Sequence, residues 1–271
     1  MWPEVRHASR GWLSLAAEVP RRLGTNFGDE LSPMVVELVT GRRVTWAPPQ
    51  RAALAAVGSI VELLIAGGFQ GVVWGSGCRR SSQQDRDGIS FAAVRGQLSA
   101  TALGLSGTPV GDPGVLASEF ATTSGTHVRG RRSAIPHFRT WNSVAGREAV
   151  RALRASGFRI IPPTLPPRDV IREVAASELV LSSSLHGLIV AHSLGRPAIR
   201  FNIDGHGEPD FKYQDFYSAL DEPAPAASSV RDLVGGLDRA AVDDAYDMTA
   251  VRADRCADRA GDLTRALGDQ L

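Results

Sequence analysis

Lysine is all but absent from this chain of 271 residues: of its 30 basic side chains only Lys212 is a lysine. A Walker-type phosphate loop, which needs a lysine after its glycines, is therefore excluded. The arginine bias also makes a lone arginine a poor pointer to function, although its fork can hold a carboxylate or phosphate bidentately. Cysteine is nearly as scarce. Cys78 and Cys256 stand far apart and in no metal-ligand spacing, which excludes a disulfide framework and a cysteine zinc site. Charge imbalance is missing too. A net charge of +1 gives no reason to expect nucleic acid or an anionic membrane as main partner. No apolar run reaches the roughly 20 residues of a membrane span, and Met1 to His7 has no charged start followed by an apolar signal core. The expectation is a soluble cytoplasmic protein, free or at the inner face of the membrane, with no integral membrane segment. Gly75-Ser76-Gly77 lacks the third glycine of a dinucleotide fingerprint, and no Gly-x-Ser-x-Gly nucleophile elbow occurs.

What is present is an alternation of short apolar β-runs with helical periodicity, in a chain with an ordinary hydrophobic content of 43%. Its most informative stretch is residues 179–192. A β-run of Leu179, Val180 and Leu181 passes through Ser182, Ser183 and Ser184 into an apolar helix, with His186 and Gly187 at the first turn. Serines there are natural N-caps, and helix amides at the carboxyl end of a strand favour an anion. The residues alone leave two roles open for His186, a ligand-facing side chain or a buried one satisfying the backbone.

Taken in order, residues 12–19 suggest a weak first strand. Residues 24–33 suggest a glycine-rich turn before a helix at 34–39. Strands are expected at 43–47, 54–57, 71–74, 89–94 and 110–111, with helices at 60–66 and from Leu98 to Leu103. The polar, threonine-rich residues 122–126 suggest a linker. The alternation then restarts with strands at 133–138, 158–161, 179–181 and 197–202 and helices at 144–155, 168–176 and after Gly187. Residues 223–227 suggest a second linker before a helical carboxyl end. These patterns predict an α/β protein of two Rossmann-like domains, 1–121 and 127–271, facing across a cleft, with carboxyl-terminal helices.

Strand-end polar residues are the site candidates: Asn26, Asp29, Arg95, Asp112, His137, Arg139 and His186. Singly each suits a cap, a surface charge or a buried hydrogen bond; together they suggest a polar cleft. Asp204, His206, Glu208 and Asp210 are metal ligands in type, but their glycine- and proline-rich loop suits a solvated turn better.

Several segments, in order, resemble the polysaccharide pyruvyl transferases. They are Asn-Phe-Gly-Asp-Glu-Leu-Ser-Pro from Asn26, Val-Gly-Ser-Ile from Val57, Val-Trp-Gly-Ser-Gly from Val73 and Val-Arg-Gly from Val94. Gly-Asp-Pro from Gly111, Ile-Pro-His-Phe from Ile135, Ser-Ser-Leu-His-Gly from Ser183 and Phe-Lys-Tyr-Gln-Asp-Phe-Tyr from Phe211 follow. The resemblance implies a fold like that of GT-B glycosyltransferases, with an acceptor-side first domain and a donor-side second domain. It implies transfer of the enolpyruvyl unit of phosphoenolpyruvate onto two hydroxyls of a sugar, glycan or lipid-linked glycan, giving a pyruvate ketal and phosphate. No metal or redox cofactor is required. His186 is then the general acid and Asp29 the base or acceptor anchor. A helix amino terminus disfavours imidazolium, a bound phosphate favours it, and without a proton His186 would serve as a neutral hydrogen-bond donor. Asn26, Gly28, Ser76, Arg95, Asp112, His137, Arg139, Ser183, Ser184, Leu185, Gly187 and Lys212 are the implied substrate-binding residues. Many relatives carry arginine where this chain has Ser184, and Arg95 and Arg139 are the expected replacements. A nucleotide-sugar glycosyltransferase of the same fold and a non-catalytic anionic-glycan binding module are the competing readings.

Overall fold

The computed structural model describes residues 26–80, 86–121, 128–203 and 208–270. The expected strand at 12–19, Gly24 and Thr25, the expected linker at 122–126, and Asp204 and His206 of the polar loop lie outside the described residues.

The first described element is helix α1 (Phe27–Thr40), which starts where a turn was expected. Asn26 caps it through its side chain, and Phe27, Leu31 and Val35 bury one face. That burial outweighs Pro33, which sits inside the helix and cannot donate its backbone bond. Residues 43–47 form no strand: the expected alternation is there, but no strand among the described residues pairs with it. Parallel strands β1 (Leu54–Ala55), β2 (Val72–Trp74) and β3 (Ser90–Ala93) make the first sheet, in that order. Helices α2 (Val61–Ala66) and α3 (Gln97–Ala102) follow β1 and β3. Val110 makes only a single parallel bridge to Val94. Where a closing turn was expected, Asp112 caps a 3-10 helical stretch, Pro113–Phe120.

The second sheet is also parallel, with order β5-β4-β6-β7-β8. Its strands are β4 (Arg132–Ile135), β5 (Arg159–Ile160), β6 (Leu179–Ser182), β7 (Ala198–Asn202) and β8 (Ser228–Ser229). Helix α4 (Val144–Ala155) matches its expected span; Ser143 caps it, and Ala149, Val150 and Leu153 face inward. Helices α5 (Pro167–Ala175) and α6 (Leu185–Ser193) lead into and out of β6. Residues 223–227 do not separate units; they run into β8, which pairs with β7. The chain leaves β4 for β5 on one side and returns to β6 on the other. A crevice therefore opens at the carboxyl ends of β4 and β6, where open parallel sheets bind ligands.

Helices α7 (Phe211–Ala219), α8 (Val230–Gly235), α9 (Arg239–Asp247) and α10 (Thr249–Gly268) complete the described chain. Helix α10 packs back on the first sheet, where the Trp74 indole Nε1 donates to the Leu263 carbonyl at 2.9 Å. The two sheets are separate, yet one buried apolar cluster runs from Phe27, Trp74 and Ala93 to Val180, Leu188 and Leu263. Among the described residues no helix is long and apolar enough to cross a membrane.

Candidate active site

The β6–α6 junction is tied together by its serines. Ser182 Oγ accepts the Ser184 amide at 3.1 Å and donates to the Ser184 carbonyl at 2.8 Å. Ser183 Oγ accepts the His137 amide at 2.8 Å, which fastens the end of β6 to the end of β4. The Tyr213 hydroxyl donates to the Ser183 carbonyl at 2.9 Å and adds α7 to the junction. Ser184 occupies the N-cap position of α6 in an extended conformation, but its side chain makes no cap bond. The expected serine cap is thus corrected: the Ser184 side chain does not take up the orphan amides of this helix start. Gly187 must be a glycine, because a Cβ there would fall 2.2 Å from Ser182 Oγ. Leu185 is core.

The His186 ring lies between α1 and the 3-10 stretch. A Cβ on Gly28 would fall 2.1 Å from its Nδ1. On the other side Nε2 is 3.8 Å from Asp112 Oδ2, with the Asp112 side chain fully buried and that of His186 11% exposed. Asp112 Oδ1 accepts the Gly114 amide at 2.9 Å. Oδ2 and Nε2 are both buried and have no hydrogen-bond partner among the described residues. Three helical starts, capped or headed by Asn26, Asp112 and Ser184, thus meet around one imidazole. Burial, then the charges of Lys212 and Arg95, push the imidazole down to about 3, so it is neutral in the free protein. Burial lifts the Asp112 carboxyl to about 6 against the Gly114 amide.

A second cluster borders the ring. Lys212 Nζ donates to Glu208 Oε2 at 2.8 Å, and Glu208 Oε1 lies 3.4 Å from His137 Nδ1 and 3.7 Å from Arg139 Nη1. Burial brings Lys212 down to about 8 despite Glu208, and burial with Lys212 brings His137 down to about 3. Burial alone would raise Glu208, but Lys212, His137 and Arg139 outweigh it and hold the carboxyl below its usual range. Arg139 has a buried Nε with no partner. Asp29, on the first turn of α1, keeps access to water while protein crowds it at longer range. Desolvation raises its carboxyl to about 6, against Asn26, Arg79 and Lys212. Asn26 Oδ1 accepts the Gly28 amide at 3.4 Å.

The structure corrects two expected substrate contacts. Arg95 is fully buried, with Nε 2.9 Å from Asp215 Oδ2, Nη2 donating to the Cys78 carbonyl at 2.7 Å and Nη1 to Ser59 Oγ. All three nitrogens are taken, so Arg95 joins the first-sheet loops to α7, and Arg139 is the arginine with a donor to give. Ser76 is likewise buried, its hydroxyl donating to the Ala56 carbonyl. Sequence reasoning missed Glu208 as the hub of the cationic cluster and saw in it only a possible metal ligand. Its spacing four residues before Lys212 was the available signal. Among the described residues no group of three histidine, cysteine or acidic side chains is placed to hold a metal.

The model of the family described as polysaccharide pyruvyl transferase matches residues 63–205, more than half of the chain. A succinoglycan biosynthesis protein, ExoV, of Rhizobium meliloti (strain 1021) is 27% identical over 201 residues, 72% of this chain and 61% of the relative. The chain thus spans 61% of that relative's length. The family match takes in Asp112, His137, Arg139 and His186 but neither Asp29 nor Lys212.

Proposed function

This chain belongs to the polysaccharide pyruvyl transferase family, and on that premise we propose that it builds a pyruvate ketal on a glycan from phosphoenolpyruvate. The methylene carbon of the donor takes a proton and becomes a methyl group, which leaves the neighbouring carbon electrophilic. One acceptor hydroxyl bonds to that carbon, phosphate departs, and a second hydroxyl closes the ring. One hydroxyl proton balances the new methyl group and the other leaves with phosphate.

The observation that carries this reading is an uncapped helix start at the buried His186, with Lys212 close to the ring and Arg139 joined to Lys212 through Glu208. An anion is favoured there by amides and cations together. The donor's carboxylate and phosphate would in turn favour imidazolium at His186, which is neutral without them, and so supply the acid when the donor is bound. Asp29, wet and titrating near neutrality, suits the acceptor side as base or anchor. In the same reading 1–121 is the acceptor half and 127–271 the donor half, in a GT-B-like arrangement. The relative's name favours a glycan made for polysaccharide assembly, free or lipid-linked, as acceptor.

The test is incubation with phosphoenolpyruvate and a panel of glycosides and lipid-linked glycans, following phosphate release and product mass. Phosphate release with a product heavier by a pyruvyl ketal is expected. Thermal protection by a nucleotide and none by phosphoenolpyruvate would instead identify a glycosyltransferase. Sugar binding without turnover, unchanged by His186→Ala, would identify a binding module.

A further inference from the structure

The His186 ring has two nitrogens in different surroundings, and the structure bears on which of them works. Nε2 points to the 3-10 stretch, where Asp112 Oδ2 stands 3.8 Å away. Both atoms are buried and neither has another partner among the described residues. Leaving two such groups unpaired in the interior is costly, and each is the other's nearest complement. The gap is longer than a hydrogen bond, but too short for a bridging water. Bonds of this kind are often long before substrate binds and shorten in the complex. The other oxygen of Asp112 is fixed by the Gly114 amide at 2.9 Å, which aims Oδ2 at the ring. Nδ1 lies on the opposite side, against Gly28, where only the missing side chain leaves room.

We propose that Asp112 is a positioning residue: its Oδ2 holds the Nε2–H of His186, so that Nδ1, on the Gly28 side, is the nitrogen that exchanges a proton with substrate. The inference rests on the pyruvyl-transfer reading for its chemical step, but the pairing itself does not. Asp112 touches no substrate, contrary to the binding role that the resemblance implied for it. Its carboxylate would keep the neutral ring in the Nε2–H form and then stabilise the imidazolium when Nδ1 is protonated. Imidazole neutral at pH 7 and a carboxyl titrating near 6 are the protonation states this pairing needs.

Histidine-selective ¹⁵N labelling of the whole chain reads the tautomer directly, with the His186 signals identified by their loss in His186→Gln. The wild-type protein should show Nε2–H at neutral pH, whether or not phosphoenolpyruvate is the donor. Asp112→Asn keeps the side-chain oxygen that caps the 3-10 stretch, so it should fold. Its amide would donate to Nε2 and turn the ring to the Nδ1–H form. Turnover should then fall by about 10²–10⁴-fold while donor affinity stays within roughly threefold. In a His186→Gln background the same change should cost nothing further. An Nδ1–H ring in the wild type would overturn the pairing. A loss of donor affinity in Asp112→Asn, or an equal loss of turnover in the His186→Gln background, would return Asp112 to a role of its own. Absence of any turnover in the wild type would sink the pyruvyl-transfer reading and leave the tautomer result to decide the pairing.

Discussion

Gly28 and His186 touch across two helix starts: a methyl group built on Gly28 would lie 2.1 Å from the ring Nδ1. Alanine is the better helix former by about 1 kcal/mol, so in open space Gly28→Ala would stabilise α1. Here the ring stands in the way, and overpacking a fixed site costs about 1–3 kcal/mol. We expect Gly28→Ala to lower the melting temperature slightly and turnover by more than tenfold. Higher stability with unchanged turnover would mean that the ring has room to move.

Arg139 and Lys212 should govern donor affinity, and Lys212→Met, which also breaks the 2.8 Å pair with Glu208, should lower stability as well. A charge-assisted hydrogen bond contributes about 1.5–3 kcal/mol, so Arg139→Gln and Lys212→Met should each raise the KM for donor by roughly 10–100-fold. Arg139 is expected to tolerate the change structurally, because it is partly exposed and gives up only a long 3.7 Å pair with Glu208, which keeps Lys212. A variant with unchanged KM would remove that residue from the anion site.

Arg95 should behave in the opposite way. Its fully buried ion pair with Asp215, 2.9 Å long, also engages the Ser99 amide and hydroxyl at 2.7 and 2.6 Å. Removing one partner leaves a buried charge uncompensated, which costs about 3–5 kcal/mol. Arg95→Met should therefore unfold at much lower denaturant concentration than wild type. Whatever folds should bind donor normally; a stable variant with weakened donor binding would restore Arg95 to the site.

Acid lability should follow from buried histidines. His192 is buried with Nε2 2.7 Å from the Tyr217 hydroxyl, and burial, then Arg252, hold its imidazole down to about 3. The unfolded chain binds a proton below about 6.5 that the native ring refuses. Stability is thus complete above that pH and falls towards pH 3 by about 1.4 kcal/mol per pH unit per histidine. His137 and His186 have the same sign, while the raised carboxyls of Asp29 and Asp112 oppose it between about 4 and 6. Denaturant titrations between pH 7.5 and 5 should lose stability, with a shallower slope for His192→Gln. A flat profile, or one unchanged by that substitution, would contradict this account.

Much of the fold was legible locally. The helix expected at 144–155 is α4 to the residue, and the apolar run at β6 followed by Gly187 determined the junction that holds His186. Such features were readable because cap, periodicity and apolar length are properties of neighbours in sequence. Residues 43–47 and 228–229 were not readable, because a strand exists only where another strand accepts it: the first has no partner among the described residues and the second pairs with β7.

The same distinction divides the site. The sequence by itself determined which polar residues stand at strand ends, and among them His137, Arg139 and His186 gather, joined by Lys212, which the resemblance implied. Only the tertiary structure decided what each does there. It bound Arg95 to Asp215, 120 residues away, and aimed Asp112 at His186 from another sheet. It also placed Glu208 between the cations of Arg139 and Lys212 and beside the His137 imidazole. A side chain's charge and hydrogen-bonding capacity are fixed by its identity, but its partners and its access to water are set by the packing of segments distant in the chain.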